Sequence, residues 1–320
     1  MHAASITLLT WALIGAACFF SGSPTLAEGG VLALLVAGIG LPHGAADHRF
    51  ARPRLEPLLG PAWWVVFLAG YLTIGMVVVG GWFLVPAATI LVFFLASAWH
   101  FGQEEPLLTT CPLIPRPALR MARGGLVIWV PVAFQTGEVV RILSLTAPQG
   151  FGPDIQRAID ALVPCAWVML AIAAVAWGWQ VLVVIASEGR RRRVLLLDAL
   201  LVASLVALFA IASPIVGFLV YFCGWHSARG LRRLRRELGE SWSQLAASLT
   251  PLTALAIGLI ALATCLVLQA STLNDTLIRA TFVGLSGVAL PHLLLHGAGP
   301  VIARLGRKRM PRSLGWGSAL

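Results

Sequence analysis

The chain has 320 residues, of which 58% are hydrophobic and only 11% charged, and its mean hydropathy is +0.87. That apolar content runs the length of the chain and excludes a soluble globular domain, because a bilayer core of about 30 Å needs roughly 20 apolar residues per helix and such segments recur from Ile6 almost to the C-terminus. The formal net charge of +10 comes largely from Arg residues in short stretches between apolar runs, which read as topology signals and contacts to anionic lipid, not as a nucleic-acid surface.

The runs predict an all-α, polytopic transmembrane helix bundle forming one integral membrane domain over 1–320. Ten helices are expected at about 5–21, 29–48, 62–81, 84–103, 124–143, 160–186, 194–212, 214–229, 251–270 and 277–296. The first has no Lys or Arg before it and reads as a retained helix, not a cleaved signal. The run from Val194 to Trp225 exceeds one span and divides at Ser213-Pro214, since proline disfavours a helical residue before it.

Charge tests that division. Arg49, Arg52 and Arg54; Arg116, Arg120 and Arg123; Arg190 to Arg193; Arg229, Arg232, Arg233, Arg235 and Arg236; and Arg304, Arg307, Lys308, Arg309 and Arg312 all follow even-numbered helices. By the positive-inside rule every even helix ends in the cytoplasm and both termini are cytoplasmic. Within 229–250, Leu231, Leu234 and Leu238 fall at helical spacing opposite an Arg face, the pattern of an amphipathic helix on the cytoplasmic leaflet. Glu138 and Arg141, three apart, form a local ion pair. The five cysteines contain no C-x-x-C pair and read as free thiols.

Six of the seven histidines carry the functional signal. His43 and His48 lie in "GLPHGAADH", His100 in "SAWHFGQEE", His226 in "YFCGWHSARG", and His292 and His296 in "LPHLLLHG". They close helices two, four, eight and ten, so the topology places them in one layer near the cytoplasmic face. Ionisable groups at membrane depth are costly and mark functional sites, and a set of neutral imidazoles with few acids nearby suits a transition metal over magnesium or calcium. Asp47 shares a helical face with His43, four residues earlier, and is expected to orient it as a hydrogen-bonded carboxylate. His48 turns away from His43 on a regular helix. His292 and His296, four apart, can both face one ion. Trp99, Phe101 and Trp225, beside the histidines, are candidate substrate walls, and Asp198 is a candidate proton-relay residue. Other readings of such a layer are a membrane haem or redox protein and a transporter or assembly factor. Haem needs only two facing imidazoles, and transport needs polar groups in both halves of the membrane.

In this order, the four blocks resemble the Brp/Blh family of bacterial and archaeal membrane β-carotene 15,15'-dioxygenases over about Leu41 to His296. The resemblance implies a multi-pass enzyme of the bacterial or archaeal inner membrane. It would use non-haem Fe2+ and O2 to cleave β-carotene, or a related carotenoid taken from the bilayer, at its central double bond, releasing retinal that often serves a rhodopsin. It also implies His43, His100 and His226 as metal ligands. Family members usually read "WHSxRH", with a fourth ligating histidine where this chain has Gly230. His292 or His296 is the local substitute, His292 being the one placed in the ligand set, with His296, His48 and Asp47 as further ligands or orienting groups.

Overall fold

The computed structural model describes residues 27–267, 270 and 272–307, with side chains from 29 to 297. The first expected helix, 5–21, lies outside the described residues. All regular structure among them is helical. α1 (Ala27–Leu35) runs through a π-helical segment (Val36–Gly40) into α2 (Leu41–Ala45), and α3 (Asp47–Leu59) follows across Ala46. Then come α4 (Trp63–Leu84), α5 (Pro86–Glu104), α6 (Arg116–Gly124), α7 (Leu126–Phe134), α8 (Thr136–Thr146), α9 (Gly152–Ile185) and α10 (Gly189–Ile211). α11 (Pro214–Leu219) passes into a second π segment (Val220–Ser227) and α12 (Ala228–Leu238), and α13 (Trp242–Leu266) and α14 (Leu273–Arg307) complete the bundle.

By length and composition five helical stretches here can cross a membrane: Gly29–Leu84, Gly152–Ile185, Gly189–Ile211, Trp242–Leu266 and Leu273–Gly297. The expected helices 29–48 and 62–81 fall within the first of these. The expected helix 84–103 is α5, whose last turns carry His100, Gln103 and Glu104 and are less apolar. The expected straight helix 124–143 is instead a broken pair, α7 and α8, meeting at 112°. Pro131 inside α7 has no N–H to donate, and Gln135 leaves helical geometry at φ −132° and ψ 35°.

A break at membrane depth must satisfy its backbone internally. Gln135 contributes to this by donating from Nε2 to the Phe209 and Ala212 carbonyls, each at 2.8 Å, at the C-terminal end of α10. The division at Ser213-Pro214 is observed, and the Ser213 hydroxyl caps α11 by accepting from Val216 N. α5 and α6 pack backbone against backbone: a Cβ on Gly102 would strike the Arg120 carbonyl, and one on Gly124 would strike Gly102 N. Small residues allow such contact between helices, and this one fixes the end of α5 that carries His100.

α12 ends on Gly239, whose φ of 66° is the left-handed conformation glycine adopts freely. A Ser241–Gln244 capping box then starts α13. On the apolar stripe of α12, Leu234 is buried and packs with Leu231 against Ala45, Ala46, Leu245 and Leu249, so this stripe is covered by protein. Leu238 at its end is exposed.

Candidate metal centre

Four helical segments bring imidazoles to one place. His43 comes from the single turn of α2, His100 from α5, His226 from the second π segment and His292 from α14. The His43 ring centroid is 5.1 Å from that of His226 and 5.2 Å from that of His292, and the His100 ring is 5.3 Å and 4.9 Å from the same two. One ligand nitrogen from each of His43, His226 and His292 lies within 4.8 Å of the others. Two of these four residues sit in or directly after π-helical turns, a distortion that widens a helix and frequently accompanies functional sites.

The nitrogens are chemically open. Nε2 of His43, His100 and His292 is buried with no hydrogen-bond partner among the described residues. A buried polar atom without a partner costs about 1–3 kcal/mol, and three of them on histidines that line one cavity is an arrangement a bound cation would relieve. All four rings border a cavity of about 120 Å³, whose other walls are almost wholly apolar and include Phe93, Phe94, Phe218, Phe222 and Phe282. A cation held by neutral imidazoles keeps its full charge and presents it to a dry, hydrocarbon-lined space.

Asp47 does not orient His43. The chain turns at Ala46, so Asp47 starts a new helix and its buried carboxylate meets α14 instead. His292 donates from Nδ1 to Asp47 Oδ1 at 2.8 Å, and His296 donates from Nε2 to the same oxygen at 3.3 Å. Tyr71 Oη stands 3.0 Å from Asp47 Oδ2 and 2.9 Å from the Val288 carbonyl. The bond from His292 Nδ1 leaves its Nε2 as the free nitrogen facing the cavity, the logic by which an outer carboxylate fixes a metal-ligating histidine. Tyr71, missed in the sequence, completes this support. A hydroxyl on a distant helix carries no local signal.

Other expected residues separate from the centre. His48 donates from Nδ1 to the Ala45 carbonyl at 2.6 Å and does not line the cavity. Of the three candidate walls, only Phe101 lines the cavity. Trp99 is 37% exposed on the outer face of α5, because a residue next to an inward histidine is turned about 100° around the helix. Trp225 bonds through Nε1 to Glu105 Oε1 at 2.7 Å, with Arg229 over its ring and paired to the same carboxylate at 2.9 Å. Asp198 is no free relay group: it accepts from Arg123 and from Gln180, each at 2.9 Å, in a buried structural pair. Glu138 and Arg141 are paired as expected, at 2.8 Å.

Gly230 packs against the centre. A Cβ there would strike Cε1 of His43 and come within 2.7 Å of its Nδ1. The His43 ring lies in the space a side chain at 230 would need, and the imidazoles around the cavity are those of His43, His100, His226 and His292.

Comparison with known proteins gives the family of the chain. A family model described as Beta-carotene 15,15'-dioxygenase matches residues 34–298. A protein of the uncultured marine bacterium 66A03 named Beta-carotene 15,15'-dioxygenase is 27% identical over 275 residues, covering 82% of this chain and 90% of its own length. The protein of Halobacterium salinarum named Probable beta-carotene 15,15'-dioxygenase Blh is 30% identical over 225 residues, 66% of this chain and 63% of its own. No solved structure matches the chain.

Proposed function

From the premise that this chain belongs to the β-carotene 15,15'-dioxygenase family and is a carotenoid-cleaving dioxygenase, we propose that it uses iron to split β-carotene, or a related carotenoid, at the central double bond. Two retinal molecules are the product. The observation that carries this reading is the set of open histidine nitrogens at one end of a hydrocarbon-lined cavity.

His43, His100, His226 and His292 would hold the ion, and Fe2+ bound there would supply the redox chemistry that O2 requires. The protein's own work is positional. Asp47 holds His292 with Nε2 inward, and Tyr71 holds Asp47. The phenylalanine walls exclude water and grip a polyene along its length, and aromatic faces suit a flat conjugated chain. Ser97 and the four histidines are the polar residues on that cavity's lining, so with the histidines committed to the ion no further general acid or base faces the substrate. A reaction that adds oxygen across a carbon–carbon double bond needs none.

The enzyme acts from the inner membrane of a bacterial or archaeal cell, with its histidine layer on the cytoplasmic side, and takes its substrate from the bilayer. Retinal released there is available to a rhodopsin in the same membrane.

The test is expression in bacteria that accumulate β-carotene, with pigments extracted and retinal assayed by chromatography. His100→Ala, His43→Ala and His226→Ala are measured in parallel, together with iron in the purified proteins. Retinal from the parent and none from the variants, with less bound iron, is expected. Full iron and activity in any variant removes that residue from the centre, and unbleached carotene with well-inserted parent protein rejects the reading.

A further inference from the structure

The histidine cavity extends from the centre in one direction. Pro214, Ile215, Phe218, Phe222 and His226 all line it, a run of 13 residues that spans about 18 Å at helical rise, and His226 stands at its end. A molecule cut at its midpoint needs arms of equal length on both sides of the reacting bond. One arm has its place in this cavity; the other needs a second.

A second apolar cavity, about 80 Å³, lies where α2, α4 and α13 meet, with Leu41, Ala45, Phe67, Leu68, Leu252 and Ala256 among its walls. Gly44 and Val288 line both cavities. A Cβ on Gly44 would stand 3.3 Å from Val288 Cγ1, so the partition at this point is one valine side chain against a bare backbone. His43 adjoins Gly44 in sequence and His292 lies one turn beyond Val288, which puts both rings beside that partition. Around the same turn Gly40 and His43 border the first cavity while Leu41 and Ala45 border the second.

The two cavities differ in what lies outside them. No residue lining the histidine cavity is exposed. On the second, Leu72, Leu255 and Leu259 are 38%, 41% and 42% exposed, and in a bilayer these faces meet lipid. Its one polar side chain, Tyr71, has its hydroxyl taken up by Asp47 and the Val288 carbonyl.

Resting on the carotenoid reading above, we propose that the second cavity is the other half-site for the substrate and its port from the membrane. The polyene enters between α4 and α13 past Leu255 and Leu259, crosses the Gly44–Val288 partition and runs into the histidine cavity until its midpoint lies beside His43 and His292. Val288 is the movable part of the partition, and the depth of the two cavities together sets cleavage at the centre.

The test fills the second half-site. Ala256→Trp is compared with the parent on β-carotene and on an apocarotenal that has one ring and a shortened opposite arm, both delivered in liposomes. Turnover of β-carotene falls at least ten-fold while the shortened substrate stays within three-fold. β-Carotene turnover within two-fold of the parent overturns the proposal. So does equal loss on both substrates in protein that keeps the parent's iron content.

A measurement without catalysis covers failure of that variant to fold. Leu259→Cys is placed in the inactive His100→Ala background, and alkylation of residue 259 is followed by peptide mass in membranes with and without β-carotene. Slowing of at least five-fold by β-carotene supports the half-site, and equal rates overturn it. If the parent gives no retinal the carotenoid-cleavage reading fails, whereas alkylation reports the half-site separately.

Discussion

Replacing Gly230 with alanine adds one methyl group at the point where α12 touches the histidine cluster. The new Cβ would lie 2.7 Å from Nδ1 of His43 and closer still to Cε1. Carbon contacts settle near 3.5 Å, so the ring must retreat by about 1.1 Å from the 2.4 Å contact at Cε1, whereas metal–imidazole bonds tolerate about 0.2 Å. His43 therefore leaves its position in the cluster, and a displaced ligand should cost at least ten-fold in iron affinity and in retinal formation, the scale seen when groups that orient ligands are lost. Stability moves much less. Alanine favours the helix by about 1 kcal/mol over glycine, against about 1–3 kcal/mol for overpacking, which leaves a net loss of about 0–2 kcal/mol. The assay is iron content by mass spectrometry and retinal by chromatography, beside thermal unfolding in detergent. Full iron and full retinal production in folded Gly230→Ala would refute the placement of His43 at the centre.

His292→Ala should remove most iron and activity, whereas His296→Ala should leave both within a few-fold, because only His292 borders the cavity with an open nitrogen while His296 makes a longer bond to Asp47; iron and retinal assays on the pair decide it, and equal effects would oppose the distinction. Asp47→Asn keeps an oxygen for His292 but loses the charge, and about a 10–100-fold drop in metal affinity or activity is expected, read by titrating Fe2+ into metal-stripped protein. Arg123→Ala leaves Asp198 buried without its cation and should destabilise the fold by about 3–5 kcal/mol, with iron per folded molecule unchanged; an iron loss larger than the loss of folded protein would mean that pair also serves the centre.

The sequence made legible whatever depends on distance from a helix end. The four histidine blocks all close apolar runs, so their common layer followed from topology, and Ser213-Pro214 showed where one overlong run had to divide. Helical phase was harder. A regular helix sets Asp47 under His43, but the chain passes through a π segment before α2 and turns at Ala46, so Asp47 reaches α14. Pro131 and Gln135 in the fifth apolar run were visible, yet the 112° break depends on Gln135 finding the carbonyls of Phe209 and Ala212, more than seventy residues away.

Where the family pattern and this chain part, at Gly230, the structure supplies a physical account of the difference. A side chain at 230 and the His43 ring as it stands cannot share that space, so a chain with histidine there must hold its counterpart of His43 in a different position. In this chain the fourth imidazole approaches from α14, a helix that packs on α4 with the Tyr71 hydroxyl between Asp47 and the Val288 carbonyl. The same contact ties the orienting carboxylate to the residue that partitions the two apolar cavities. On the proposed entry route, a displacement of the α14 backbone at Val288 would act on the hydrogen bonds that aim His292, and Tyr71 would couple the two.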